Sequence, residues 1–413
     1  MNTAVTGQVE VVNFGCRLNI AEGEAVRAAA MQAGAQDAII FNSCAVTDEA
    51  VRQARQAVRR SLRERPDATV VVTGCAAELE AERFAEMGAR VVRNDAKGLA
   101  ASYGAKPASP AGPQPYAPAL SGADHARAFL GVQTGCSHSC TFCATVMARG
   151  AARSATVDAI LGAARAALTR GQREIILTGV DLASYGDDSG TTLAALVEAL
   201  LALPGLDRLR LSSLDPDRID DALFALLTGE ARVMPHVHLS LQAGDDMVLK
   251  RMKRRHSRAD AVALVRRLKT ARPQIAIGAD LIAGFPTEDD SMFANSLALI
   301  DDCDIVFGHI FPYSPRAGTP AARMPQVGRA LSRERAARLR EANARRRHGW
   351  LDAQTGTTAN MLVERDGLTG HAENFAPLAL AAPAAPGTVI AVELTKRDGD
   401  RMIAAQIHKD IAA

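Results

Sequence analysis

The sequence predicts a multidomain α/β protein: an open parallel α/β sheet at the N-terminus, a central (βα)6 partial barrel and a small C-terminal β-barrel. Three observations carry this. Short apolar runs alternate with helical stretches of crossover length over the first hundred residues, and again from about Ala128 to Phe311. Between these regions, from Ala101 to Gly122, Pro107, Pro110, Pro113, Pro115 and Pro118 sit among Ala, Gly and Ser, which reads as a linker. After about Thr355 the pattern becomes short alternating runs broken by turn sequences, Arg365-Asp366-Gly367 and Arg397-Asp398-Gly399-Asp400. The predicted units are residues 1–100, the linker 101–122, residues 123–350 and residues 351–413.

In the first unit, strands are expected at Val9 to Phe14, Ala38 to Phe41 and Thr69 to Thr73, the last β-branched throughout. A helix is expected from about Asp48 to Arg65. Thr47 is its N-cap, and Asp48 and Glu49 suit the positive end of the dipole. Val51, Ala54, Val58 and Leu62 form one face, Arg52, Arg55, Arg59 and Arg63 another, and Pro66 stops it. In the central unit the strand candidates are Phe129–Gln133, Glu174–Thr178, Arg208–Leu211, His236–Leu241, Ile275–Ile282 and Ile305–Phe311. Helices are expected between them at Val157–Arg170, Leu193–Leu203, Asp217–Leu227, Arg258–Ala271 and Ser291–Asp301, and an arginine-rich helix follows from about Ser332 to His348. In such a barrel the chemistry lies at the C-terminal ends of the strands.

Composition narrows the function. With 48% hydrophobic and 23% charged residues over 413, the chain is not a disordered one, and 4% aromatics imply a small aliphatic core. Basic and acidic residues number 48 and 46, so attraction to a polyanion must come from a local patch. No run of eighteen apolar residues predicts a membrane span, and Met1-Asn2-Thr3-Ala4-Val5 does not read as a secretory signal. A cytoplasmic protein is expected, in which seven reduced cysteines point to metal or redox chemistry.

Cys136-Ser-His-Ser-Cys140-Thr-Phe-Cys143 places three thiols just after the first barrel strand. The spacing is awkward for tetrahedral zinc, unless His138 adds a fourth ligand, and suits a cubane that keeps one iron free of protein. C-x3-C-x-aromatic-C at the head of six βα repeats resembles the radical S-adenosylmethionine superfamily. The resemblance implies that the free iron chelates S-adenosylmethionine and that its reductive cleavage yields a 5′-deoxyadenosyl radical. It also sets Phe142 beside the adenine, a position a plain core phenylalanine would fit equally.

Cys16, Cys44 and Cys75 each follow a strand of the first unit. Strand ends in a parallel sheet share one edge, so these thiols can converge and hold a second cluster; three inert buried cysteines are the alternative. Cys303 has no partner and is read as core. The whole arrangement resembles the methylthiotransferases, with an N-terminal cluster domain, a radical S-adenosylmethionine domain and a C-terminal TRAM-like domain. Asn42-Ser43-Cys44-Ala45-Val46-Thr47, Leu211-Ser212-Ser213-Leu214-Asp215-Pro216, His238-Leu239-Ser240-Leu241-Gln242 and Phe311-Pro312-Tyr313-Ser314-Pro315-Arg316 resemble the members that act on N6-threonylcarbamoyladenosine in tRNA. Where relatives carry a proline soon after the cluster, Thr145-Val146 stand here, while Arg149-Gly150 remain.

The resemblance implies two [4Fe-4S] clusters, one on Cys136, Cys140 and Cys143 and one on Cys16, Cys44 and Cys75, with S-adenosylmethionine as cofactor. It sets Thr178, Gly179, Ser213, Gln242 and Asp280, with Phe142, against S-adenosylmethionine, though each also fits a turn or strand-end role. No side chain is expected to act as catalytic acid or base. The implied partners are a tRNA anticodon stem-loop and an electron donor such as flavodoxin or ferredoxin, and a monomer is expected. RNA phosphates are expected on Lys250, Arg251, Lys253, Arg254 and Arg255 and on Arg345, Arg346 and Arg347, unless these are ordinary solvated helix faces. The target base would leave its stack, with His371 and Phe375 as stacking side chains. The alternatives are the same chemistry on isopentenyladenosine or on a ribosomal-protein aspartate, and a non-catalytic iron–sulfur RNA-binding protein.

Overall fold

The computed structural model describes residues 9–104 and 116–407. Most of the proline-rich tract, and the extreme ends of the first and last units, lie outside the described residues.

Strands Val9–Asn13, Ala38–Ser43, Thr69–Gly74 and Arg90–Val91 form a parallel sheet in that order. The β-branched run Thr69–Gly74 is central, and Val70, Val71 and Val72 are buried. The helix after Thr47 spans Asp48–Glu64, and Thr47 Oγ1 accepts the amide proton of Ala50 at 3.1 Å. Both ends of the Ala101–Gly122 tract are built into the fold. Tyr103 is buried against this sheet, its hydroxyl donating to Lys97 O at 2.7 Å, and Ala119–Leu120 pairs antiparallel with Ala128–Gly131.

The central unit has six parallel strands: Ala128–Gly131, Glu174–Thr178, Arg208–Leu211, His236–Gln242, Ala276–Ala283 and Ile305–Pro312. Single parallel bridges, Leu209 to Val233 and Leu214 to Leu239, join its two sheets. Among the described residues no ladder links Ala119–Leu120 to Ile305–Pro312, so the barrel is partial. Helix Arg17–Gln32 of the first unit packs along the Ala119–Leu120 edge, where the bare Gly131 backbone makes room for Leu18.

Two expectations shift. The strand expected at Phe129–Gln133 splits: Gln133–Thr134 leaves the main sheet and pairs with Arg153–Ser154, carrying the chain towards the cysteine loop. The helix expected from Asp217 begins at Asp221, because Asp220 caps Leu223 N and Pro216–Arg218 forms a separate 3-10 turn.

The last unit is a closed five-stranded barrel: Thr358–Val363, Thr369–His371, Pro377–Leu380, Arg401–Gln406 and Val389–Asp398, in spatial order. It docks where the parallel strands begin. Arg210 donates to Ala372 O and Glu373 O, both at 2.8 Å, and Arg127 pairs with Glu364. Beneath them Glu174, 1% exposed, forms ion pairs with Arg127, Arg208 and Arg210. Burial opposes its ionisation, but the three guanidiniums hold its pKa near 2.

This docking corrects one expectation. Phe375 stacks on His371 at 4.5 Å, meets His236 and Phe307 at 5.0 and 6.0 Å, and lies under the guanidiniums of Arg17, Arg127 and Arg210. Its ring is spent on the contact between units, as is His371, whose Nδ1 lies 3.4 Å from Glu364 and 3.2 Å from Arg127. Neither is a free stacking surface for RNA. Among the described residues no helix is long and apolar enough to cross a membrane.

Candidate active site

Cys16, Cys44 and Cys75 lie at the carboxyl edge of the first sheet, and glycine brings their loops together. Gly15 has φ +103°, and a Cβ on it would lie 2.5 Å from Cys44 Cβ. Gly74 has φ +91°, and a Cβ there would lie 2.3 Å from Ser43 O. Only glycine permits both the backbone angle and the approach. Side-chain amides then fasten the loops: Asn19 Nδ2 donates to Phe14 O and Ser43 O at 2.7 and 3.2 Å, and Asn42 Nδ2 donates to Asn19 O at 2.9 Å. Burial, and then the charges of Cys16 and Cys75, push Cys44 up to about 11. Cationic metal reverses that penalty by stabilising thiolate.

Cys136, Cys140 and Cys143 lie at the carboxyl ends of the barrel strands. Gly135 repeats the device: its φ is +73°, and a Cβ would lie 2.0 Å from Ala151 O. His138 N and Thr145 N each donate to a sulfur at 3.4 Å, Cys136 and Cys143 respectively, and Arg254 Nη1 donates to Cys140 at 3.5 Å. Burial, with Asp181, Cys143 and Cys140 nearby, pushes Cys136 up to about 12.

The donor sets fit iron–sulfur clusters better than zinc. Zinc holds its sulfurs at about 2.3 Å, so ligand atoms around one ion must crowd together. Among the described residues the only three such side chains with ligand atoms all within 4.8 Å are His238, Asp280 and His309. His138 is engaged elsewhere, its Nε2 lying 2.8 Å from Asp181. All-thiolate trios set wider than a single ion allows suit a bulkier cluster with one open iron. Cys303 is fully buried in the core, as expected.

Arg149 ties the two trios. It lies six residues after Cys143, yet its Nε donates to Cys75 at 3.1 Å, and both Glu22 oxygens grip its guanidinium at 2.7 and 2.9 Å. Lys97 closes the cluster on Glu22 at 2.6 Å. Burial opposes the Glu22 charge, but Arg149 and Lys97 hold its pKa near 2. In sequence Arg149 stands out only as a residue shared with relatives; Glu22 and Cys75 lie more than seventy residues away, and no local pattern marks them.

The other candidates line the barrel's interior and its carboxyl rim. Thr178 is buried, and Gly179 lets Gln133 approach so closely that a Cβ would meet its Oε1 at 2.9 Å. Ser213 Oγ lies 2.7 Å from Ser240 Oγ and 3.4 Å from Asp280 Oδ2. Gln242 sits at a bulge with φ +67°. Phe142 packs edge-on against Phe285 at 6.4 Å, beside Tyr313 in a small apolar cluster. Arg316 reaches back to Asp48 at 2.8 Å, joining the rim to the first unit.

The basic run divides. Lys250, Lys253 and Arg255 are exposed. Arg254 is not available to RNA: its side chain is 6% exposed, paired with Asp215 at 2.6 Å and turned to Cys140. Arg251 is half-buried and donates to Thr287 O at 3.3 Å. Arg345 pairs with Glu341, Arg346 with Asp304 and Arg347 with Asp400, so the second run is braced by carboxylates.

Comparison with known proteins follows this division of the chain. A family model described as Radical SAM superfamily matches residues 130–300, and one described as Uncharacterized protein family UPF0004 matches residues 8–92. The threonylcarbamoyladenosine tRNA methylthiotransferase MtaB of Rickettsia prowazekii is 40% identical over 397 residues, 93% of this chain and 94% of its own. The protein of that name from Chlamydia pneumoniae is 32% identical over 97% of this chain and 98% of its own. A tRNA-2-methylthio-N(6)-dimethylallyladenosine synthase of Roseobacter denitrificans is 31% identical over 86% and 88%. Among solved structures, the radical S-adenosylmethionine methyltransferase TsrM of Kitasatospora setae, with cobalamin and a [4Fe-4S] cluster bound, superposes with a TM-score of 0.51 at 15% identity. That match covers 70% of this chain, which spans 64% of the TsrM chain, and it speaks for the fold alone.

Proposed function

The chain belongs to the radical S-adenosylmethionine tRNA methylthiotransferases, and on that premise we propose that it methylthiolates carbon 2 of N6-threonylcarbamoyladenosine next to the tRNA anticodon. The observation that carries the two-centre reading is the guanidinium of Arg149, which follows one cysteine trio in sequence and hydrogen-bonds the other. The substrate reading is supported by relatives at 40% and 32% identity over nearly the whole chain, against 31% for a relative named for the dimethylallyl substrate.

Cys136, Cys140 and Cys143 would hold one [4Fe-4S] cluster, and Cys16, Cys44 and Cys75 a second. When bound, they would supply the electron that cleaves one S-adenosylmethionine to methionine and the 5′-deoxyadenosyl group that removes the carbon 2 hydrogen, and the sulfur that replaces it, while a second S-adenosylmethionine would give that sulfur its methyl group by polar transfer and leave as S-adenosylhomocysteine. The rest is positioning, electrostatics and exclusion of water. Thr178 and Gly179 present strand-end backbone to the methionine moiety, Ser213 and Gln242 bind its polar groups, and Phe142 flanks the adenine. Arg254 neutralises charge at Cys140 while Asp215 holds it in place. Lys250, Lys253 and Arg255 meet RNA phosphates. In this reading residues 1–100 are the sulfur-donor domain, 101–122 a linker, 123–350 the radical domain and 351–413 a TRAM-like RNA-binding domain; electrons come from a flavodoxin or ferredoxin.

The test is anaerobic turnover of reconstituted enzyme with S-adenosylmethionine, a reductant and an anticodon stem-loop carrying threonylcarbamoyladenosine. The expected products are 5′-deoxyadenosine and the 2-methylthio nucleoside. Absence of 5′-deoxyadenosine defeats the radical reading. A tRNA pool that keeps methylthio-threonylcarbamoyladenosine when the gene is deleted defeats the substrate.

A further inference from the structure

Asp280, expected beside S-adenosylmethionine, has both oxygens engaged by protein groups and instead centres a side-chain cluster in the barrel interior. His238 Nε2 and His309 Nδ1 lie 3.1 and 3.2 Å from the same oxygen, Asp280 Oδ1, and the two rings tilt together at 4.5 Å. Gly278, next along the face from Asp280, has no side chain, and a Cβ there would lie 2.4 Å from His238 Nδ1. His238 is therefore pinned. His309 is not: 61% of its side chain is exposed, and with Nδ1 turned to Asp280 its Nε2 is free to meet a ligand.

Arg17 supplies a second, independent feature. It is the residue after Cys16, and it makes no hydrogen bond or ion pair among the described residues. Its guanidinium stands over the Phe375 ring, 5.3 Å from the centroid. The Phe375 ring also meets His236 and Phe307, which stand two residues before His238 and His309 on their strands. From the trio, Asp280 leads through Ser213 and Ser240 to Arg254 and Cys140. Arg17 thus adjoins the first unit's thiols through Cys16, and the histidine–aspartate trio is linked by hydrogen bonds towards Cys140 of the other set.

The geometry points to a subsite for the carboxylate-bearing substituent on N6 of the target adenosine, with Arg17 as its counter-ion and His309, set by Asp280 and His238, as its hydrogen-bonding partner. An unpaired guanidinium in a partly dry site gains most from a carboxylate. An uncharged hydrocarbon substituent would leave Arg17 unsatisfied, so the subsite also discriminates between the two kinds of modified adenosine. This rests on the substrate reading above.

The test is binding of cluster-loaded enzyme to two anticodon stem-loops, one with threonylcarbamoyladenosine and one with its neutral methyl ester, followed by fluorescence anisotropy. Wild type is expected to prefer the acid by at least about tenfold. In Arg17→Gln the preference falls to within about twofold, Arg17→Lys restores most of it, and His309→Leu loses a severalfold part with iron content unchanged. If Arg17→Gln and His309→Leu both keep the wild-type preference, the subsite is wrong. Zinc bound stoichiometrically by wild type and released by His309→Leu would also overturn it, making the trio a metal site. If wild type neither prefers the acid nor forms the methylthio product, the substrate reading has failed. If the product forms and the preference does not respond to either variant, only the subsite has.

Discussion

Arg149 Nε donates to Cys75 Sγ at 3.1 Å, although the two residues stand 74 positions apart and in different units. The loop that carries the first cysteine trio thereby forms part of the wall of the second. Because both Glu22 oxygens hold the same guanidinium, its orientation is fixed by two parallel bonds.

Replacing Arg149 should therefore be costly. Arg149→Gln leaves Glu22 buried with Lys97 alone, and a loss of about 3 kcal/mol or more is expected. Arg149→Lys keeps the charge without the fork and should lose less. Urea denaturation of the two variants checks the order.

Iron counting tests the two trios. Anaerobically reconstituted wild type should carry about eight irons, and Cys44→Ala and Cys140→Ala about four each, on the cubane stoichiometry. Gly15→Ala should behave like Cys44→Ala, since its Cβ would fall 2.5 Å from Cys44 Cβ at a backbone angle of +103°. Iron and sulfide assays read all four proteins.

Acid should attack the network around Glu174. Its folded pKa lies near 2, below the ordinary 4.5, despite burial and because of Arg210, Arg127 and Arg208. The folded state thus binds fewer protons than the unfolded. The carboxylate's stabilisation is full above about pH 5 and is lost as pH falls towards 2, roughly 3 kcal/mol in all. Glu174→Gln should flatten the fall in urea midpoint between pH 5 and 2, and lower the midpoint at pH 7, where Arg210 stays buried without its partner.

Phe375→Ala should loosen the C-terminal barrel. The partly buried ring joins His236, Phe307 and His371 to three guanidiniums, and its removal is expected to cost about 1–3 kcal/mol. Limited proteolysis between residues 351 and 358 should release the barrel from the variant well before wild type.

What the sequence disclosed was what local patterns encode. Glu174–Thr178, Arg208–Leu211 and Arg258–Ala271 stand at the expected residues, and the Thr47 cap and closed C-terminal barrel follow from spacing and turn chemistry. The glycines before Cys16, Cys75 and Cys136 were visible as letters, but not the backbone approaches that require them. Long-range pairing stayed hidden. Arg254 sits in a run of basic residues that looks like a phosphate patch, and its burial depends on Asp215, 39 positions away. Phe375 looks free in sequence because, His371 apart, its neighbours come from five separated segments. His238, Asp280 and His309 belong to three adjacent strands whose register decides that they meet.

The Phe375 plug has a consequence for access. With the strand beginnings stoppered by the C-terminal barrel, whatever enters the central barrel must come by its carboxyl rim or by the side that no ladder closes, and nothing held inside can pass straight through.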